Sequence, residues 1–123
     1  NTVFRREVFP LLYLPDVSFR FTDILRSIVA QPVLWAAGYH LGFAGATVVQ
    51  KRNQHDLMDD FRSEVPMYLR ATAASRIVAG VVKPHRTVPE NMRAAYTALA
   101  RSGIVDGDEV SRVDTWLRTI QKD

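Results

Sequence analysis

The stretch FRFTDILRSIVAQPVLW, residues 19–35, carries the clearest helix signal in this chain. Thr22 is a residue type that caps helix N-termini, and Asp23 after it is an acid of the kind that the first helical turn favours. Apolar residues recur here at helical spacing: Phe21, Ile24, Leu25, Ile28 and Val29. The pattern predicts a helix from residue 22 to about residue 31.

Prolines divide the sequence around this helix. Pro32 and Pro66 lack an amide hydrogen. Pro32 is expected to make the first helix kink or restart, and Pro66 is expected to break a second helix that begins at Asp56. Gly38 is expected to cap the restarted first helix. Residues 8–15, VFPLLYLP, predict a buried extended segment, because a proline biases the residue before it toward extended backbone.

Residues 39–49 combine strand-forming side chains with a turn of small residues. The strand formers are Tyr39, Leu41 and Phe43 before the turn, and Thr47, Val48 and Val49 after it. This pattern predicts a two-stranded hairpin. The predicted fold class is therefore α+β, predominantly helical, with a short β-hairpin between helices.

The tail, residues 83–123, predicts an antiparallel helical hairpin. Pro89 opens its first helix, which ends at Gly103, and Asp108 caps its second helix. We therefore divide the chain into two predicted parts, residues 1–82 and this tail.

The composition is that of a globular protein without cysteine. The 123 residues are 47% hydrophobic and 24% charged, which excludes a disordered chain. The net charge of +3 arises from arginines scattered among acids, so we expect no nucleic-acid binding. No apolar stretch is long enough to span a bilayer. The start at Asn1 suggests a segment of a longer protein.

Metal-binding patterns carry little signal. The histidines His40, His55 and His85 are too far apart for a helical zinc pair. Asp106 and Asp108 form an Asp-x-Asp, which can hold Mg2+ or Mn2+ against a diphosphate. Asp-Gly is also a turn dipeptide, however, and it places Asp108 at a helix start. We predict no metal site within this segment.

Asp23 and Arg26 are the residues most open to a catalytic interpretation. Spaced i and i+3, they can form an ordinary surface pair worth only about 0.2–0.5 kcal/mol. A carboxylate at a helix N-terminus is also kept ionised by the helix dipole, as a general base must be. The residues alone leave both interpretations open.

The longer run around this pair resembles the C-terminal part of the STELLO-type family of glycosyltransferases. The resemblance rests on the NT…F opening, on LYLP…VSFRFTDILRS, on the AQPVLW that follows, and on VVQKRNQHDLMDDF. It covers about residues 1–70 well and the helical tail only loosely. Leu25 and Pro32 depart from the tryptophan and arginine that are common there in the family.

The resemblance implies the C-terminal portion of a GT-A-like glycosyltransferase of inverting type. Asp23 would be the general base that deprotonates the acceptor hydroxyl, and Arg26 would orient it or meet phosphate. The implied substrate-binding residues are Arg20, Gln31, Trp35, Gln50, Arg52, Asn53 and His55.

The same resemblance implies partners for the complete enzyme. These are a sugar nucleotide, a glycan acceptor and a divalent metal, Mg or Mn, with the isolated segment inactive. Plant relatives imply a location in the Golgi lumen. The alternative is a noncatalytic helical interaction or oligomerisation domain, in which apolar surfaces such as Trp35 or Trp116 dock a partner or a second copy.

Overall fold

The computed structural model describes residues 2–51, 53–54 and 56–120, and within these ranges all regular structure is helical. A 3-10 helix, Arg6–Leu12, precedes four α-helices. These are α1 (Phe19–Ala36), α2 (Leu57–Val81), α3 (Val88–Arg101) and α4 (Glu109–Ile120). The α+β prediction is therefore wrong.

The predicted hairpin at residues 39–49 is not formed. The segment runs without regular structure, and Phe43 and Val49 are fully exposed. A two-stranded hairpin is marginal in water unless another layer covers its apolar face. The helices pack against each other and leave this segment outside the core. No layer therefore covers the apolar face that a hairpin would have, and the strand-forming residues do not pair.

The predicted extended segment at residues 8–15 is also corrected, because its first part belongs to the 3-10 helix, which contains Pro10. Proline's fixed φ suits a helical turn as well as an extended one. Val8 and Leu11 lie three residues apart, which aligns them on one side of a 3-10 helix, and both are buried. The apolar spacing decided the conformation.

Helix α1 is longer than predicted. It begins at Phe19 rather than at residue 22 and continues through Pro32 to Ala36. A proline inside a helix costs about 3 kcal/mol. Burial of a valine side chain contributes about 1.5–3 kcal/mol, and both Val29 and Val33 are buried beside the proline. The burial of these two side chains therefore offsets the cost of the proline.

Helix α2 likewise runs through Pro66 as one helix, so the predicted break there is wrong. Its start is as predicted, because the Asp56 carboxylate accepts hydrogen bonds from the N–H groups of Met58 and Asp59, at 2.9 and 3.1 Å. Ala74 and Val78 anchor its C-terminal half in the core.

Glycines end two of the helices as predicted. Gly38 and Gly103 adopt positive φ values, 79° and 69°. After α1, the Tyr39 N–H donates to the Leu34 carbonyl at 2.9 Å, and after α3 the Ile104 N–H donates to the Leu99 carbonyl at 3.0 Å. Both are Schellman motifs, in which a left-handed residue satisfies the last carbonyls.

The two helices of the tail are confirmed. Thr87 and Glu90 form a capping box at the start of α3, and α4 begins directly after Asp108. An ion pair between Arg93 and Asp114, 2.7 Å apart, joins the two helices.

All five helices contribute to one core cluster. The Tyr13 ring packs edge-on against Tyr96, with centroids 5.4 Å apart, and the Trp116 indole N–H donates to the Pro10 carbonyl at 2.9 Å. Burial is the main cause that raises the pKa of both tyrosine hydroxyls. Residues of both predicted parts of the chain share this core, and the division after residue 82 stays a prediction.

A buried carboxylate, Glu109 at the start of α4, ties the N-terminal segment to the tail. It is fully buried, and one of its oxygens accepts from the Tyr13 hydroxyl at 2.7 Å and from the Asp16 N–H at 3.1 Å. The other oxygen accepts from Arg112 Nε and Nη2 at 3.0 and 2.8 Å. Every oxygen of the buried carboxylate therefore has donors, as burial of a charge requires.

We expect Glu109→Ala to lower the free energy of unfolding by about 2–4 kcal/mol, because two donors lose their acceptor inside the core. Urea unfolding followed by circular dichroism measures the change. The control is Asp114→Ala, which removes an exposed ion pair and should cost less than about 1 kcal/mol. Equal effects of the two substitutions would contradict a structural role for the buried carboxylate.

Candidate functional site

Two of the four motifs that carry the family resemblance, VSFRFTDILRS and VVQKRNQHDLMDDF, contact each other. Arg20 of α1 forms an ion pair with Asp60 of α2, and the two side chains are only 26% and 29% exposed. The Ser18 hydroxyl donates to the Ser63 carbonyl at 3.2 Å. Arg20, predicted to bind substrate, thus joins the N-terminal halves of α1 and α2.

Asp23 lies on an exposed part of α1. Because the helix begins at Phe19, Asp23 is its fifth residue, and the predicted place in the first turn is wrong. One carboxylate oxygen accepts from the N–H of Ile24 at 2.9 Å. Among the described residues, no ion pair joins Asp23 to Arg26. The carboxylate is therefore open to solvent and to a substrate.

Arg26 and Gln31 line one groove beside α1, which we call the α1 groove. Its volume is about 300 Å3. The remaining lining residues are mostly apolar and come from the N-terminal segment, from α1 and from Leu41: Thr2, Phe4, Val8, Leu11, Leu12, Ser27, Ala30 and Leu34. Two predicted site residues thus share one concave surface, and Asp23 is not among the residues that line it.

The other predicted site residues are spread along the chain. Trp35 lies one turn after Gln31 on α1 and is 58% exposed. Gln50 and Asn53 are exposed, and no described hydrogen bond or ion pair joins them to Asp23. Arg52 and His55 lie outside the described residues.

The described residues contain no group of three histidine or carboxylate side chains that could hold a metal ion. At the Asp-x-Asp, the Asp106 carboxylate accepts from the Asp108 N–H at 2.9 Å, and α4 follows directly. This geometry is that of a turn before a helix, as one of the two interpretations of this motif expected.

An exposed apolar surface runs along the N-terminal half of α2, and we call it the α2 apolar face. Its members lie on the side of α2 opposite the core: Leu57, Met58, Phe61, Val65, Tyr68 and Leu69. The Phe61 and Tyr68 ring centroids are 6.4 Å apart. The C-terminal half carries polar residues there instead, such as Thr72 and Arg76.

A second concave surface, which sequence reasoning missed, lies between the end of α2 and the outer face of α3. We call it the cationic groove, since four basic residues line it: Lys83, Arg86, Arg93 and Arg101. These residues are spread over 19 positions, and the one sequence signal was the i, i+8 spacing of Arg93 and Arg101 on one helix face.

Comparison with known proteins found no match: no protein-family model, curated protein or solved structure is similar to this chain. In the part of the chain that the structure describes, no helix has the length and apolar character needed to cross a membrane.

The Arg20–Asp60 pair should show a coupling energy of about 1 kcal/mol in a double-mutant cycle of Arg20→Ala and Asp60→Ala, because both side chains are more than two-thirds shielded from solvent. Thermal and urea unfolding of the four proteins give this value. The exposed pair of Asp59 and Arg62 is the control, with an expected coupling of about 0.2–0.5 kcal/mol. If the coupling energy of Arg20 and Asp60 is no larger than that of the control pair, the pair does not stabilise the contact between α1 and α2.

Proposed function

We propose that this chain contributes the acceptor-side surface of a sugar-nucleotide-dependent glycosyltransferase of inverting type. The observation that carries the proposal is the Arg20–Asp60 ion pair, which joins two of the four motifs on which the resemblance rests. The all-helical fold is not that of a GT-A domain. The proposal therefore concerns the surface of α1 and α2 and assigns no nucleotide-binding sheet to this chain.

In this proposal Asp23 is the general base. The hydrogen bond from the Ile24 N–H occupies Oδ1 and fixes the carboxylate, which leaves Oδ2 for the acceptor. The acceptor hydroxyl gives its proton to Oδ2 while its oxygen forms the bond to the anomeric carbon. The bond from that carbon to the nucleoside diphosphate breaks, and the diphosphate leaves with the bonding electrons.

Neighbouring residues on α1 position the substrates. Arg26 and Gln31 project into the α1 groove, where a guanidinium and an amide can bind hydroxyl or phosphate oxygens. The exposed Trp35 ring, one turn further, offers an apolar face to a sugar ring. Among the described residues no group of three histidine or carboxylate side chains could hold a metal ion, and the proposal assigns no step to a metal.

Asp23→Asn tests the catalytic assignment in the full-length protein. Loss of the base should reduce sugar transfer by about 10²–10⁴-fold, measured as nucleoside diphosphate release that depends on acceptor. The melting temperature should stay unchanged, because Asp23 is exposed. Asp59→Asn, another exposed helical acid, is the matched control with full activity expected. Turnover of Asp23→Asn at the wild-type rate would exclude Asp23 as the base.

The α2 apolar face favours a second candidate function, that of a helical domain that self-associates. Its six apolar side chains are between 36% and 78% exposed and lie along one side of the helix, and such exposed apolar patches mark interaction sites. A two-fold pairing would place this apolar face against itself, with both copies contributing the same residues. In this candidate Asp23 has no catalytic role.

Self-association is measured by size-exclusion chromatography with light scattering. The candidate expects a dimer for the wild-type chain and a monomer for Leu69→Lys, which places a charge within the apolar contact. Thr115→Lys, an exposed position on α4, is the control and should stay dimeric. If the wild-type chain stays monomeric at high protein concentration, self-association through the α2 apolar face is excluded.

A further inference from the structure

The cationic groove has a volume of about 530 Å3, and most of its charged side chains are positive. Four basic side chains and a single acid, Glu90, line it. The whole chain has a net charge of only +3, so the fold gathers at this one surface an excess of positive charge as large as that of the entire sequence.

The one acid in the groove is already occupied. The Glu90 carboxylate accepts hydrogen bonds from the Thr87 backbone N–H and hydroxyl, each at 2.8 Å, in the capping box of α3. These bonds, with smaller contributions from Arg86 and Arg93, hold the pKa of Glu90 below its ordinary value. The carboxylate therefore serves the helix start, and it neutralises only one of the four basic side chains.

Two of the basic side chains are fixed and two are open. Arg93 is paired with Asp114, and Arg86 donates to the Val81 carbonyl at 3.1 Å. Lys83 and Arg101 are exposed, and no ion pair among the described residues engages them. A ligand would thus contact two guanidinium groups whose positions are fixed. The other two basic side chains, Lys83 and Arg101, are free to move toward the ligand.

Small residues keep the space between these cations free. Along α3, Ala94, Thr97 and Ala98 lie between Arg93 and Arg101, whose Cα atoms are about 12 Å apart along the helix at 1.5 Å per residue. Gly80 lies on the α2 side, where an added Cβ would meet nothing within 4 Å. The groove therefore has room for more than a single ion.

We propose that the cationic groove binds a phosphorylated ligand through two or more phosphate charges, with a diphosphate as the minimal unit. Guanidinium groups bind phosphate oxygens in bidentate geometry, and a lysine adds a mobile point charge. Among the described residues, none lines both this groove and the α1 groove, so the site goes beyond the proposed transfer function and is independent of Asp23.

Binding of inorganic pyrophosphate, followed by isothermal titration calorimetry at low salt, tests the site with free phosphate. A second arm measures cosedimentation with phosphatidylcholine vesicles that contain a phosphoinositide, which presents the same chemistry on a lipid headgroup. The test variant is Lys83→Ala with Arg101→Ala, the two open cations. The control is Arg62→Ala with Arg118→Ala, which lowers the net charge by the same amount at exposed positions elsewhere.

Saturable pyrophosphate binding that the test variant weakens at least about tenfold, and the control does not, supports the site with a free phosphorylated ligand. Vesicle binding alone, with the same difference between variants, supports it with a lipid headgroup as the source. The proposal is overturned if neither probe binds the wild-type chain, or if the two variants lose binding equally, since that result reports only net charge.

Discussion

The buried Glu109 carboxylate is the interaction on which the arrangement of this chain depends. It binds the Tyr13 hydroxyl and the Asp16 backbone N–H, while Arg112 compensates its charge from the solvent side. The N-terminal segment is thereby held over α3 and α4. The same segment supplies Val8 and Leu11 to the wall of the α1 groove. The shape of this groove therefore depends on the contact that Glu109 of α4 makes with the N-terminal segment.

Packing is unequal along α2. The C-terminal half of α2 is anchored by Ala74 and Val78, whereas its N-terminal half meets α1 through Arg20–Asp60 and turns apolar side chains to solvent. The proposed glycosyl transfer would use the exposed surface of α1, and the proposed self-association would use the α2 apolar face. The cationic groove lies at the opposite, well-packed end of α2, where rigid neighbours hold Arg86 and Arg93 in place.

Local chemistry predicted the features that need no distant partner. The helix that begins at Asp56, the helix start at Pro89 and the glycine at position 103 each depend on residues within one turn of backbone, and each was found. The hairpin at residues 39–49 failed because strands require a neighbouring strand and a covering layer. The predicted break at Pro66 was wrong for a related reason: burial elsewhere along a helix offsets one missing hydrogen bond.

The sequence was sufficient to predict the starts of α2, α3 and α4 and the glycine ends of α1 and α3, since capping and left-handed glycines are properties of a few adjacent residues. Tertiary structure alone decided which charges meet. Glu109 is an ordinary first-turn acid in the sequence, and only the return of Tyr13 across α3 buries it. Lys83 and Arg101 are likewise 18 positions apart, and they share a groove only because α3 packs back against α2. Electrostatic environment depends on distance in space, which no local pattern encodes.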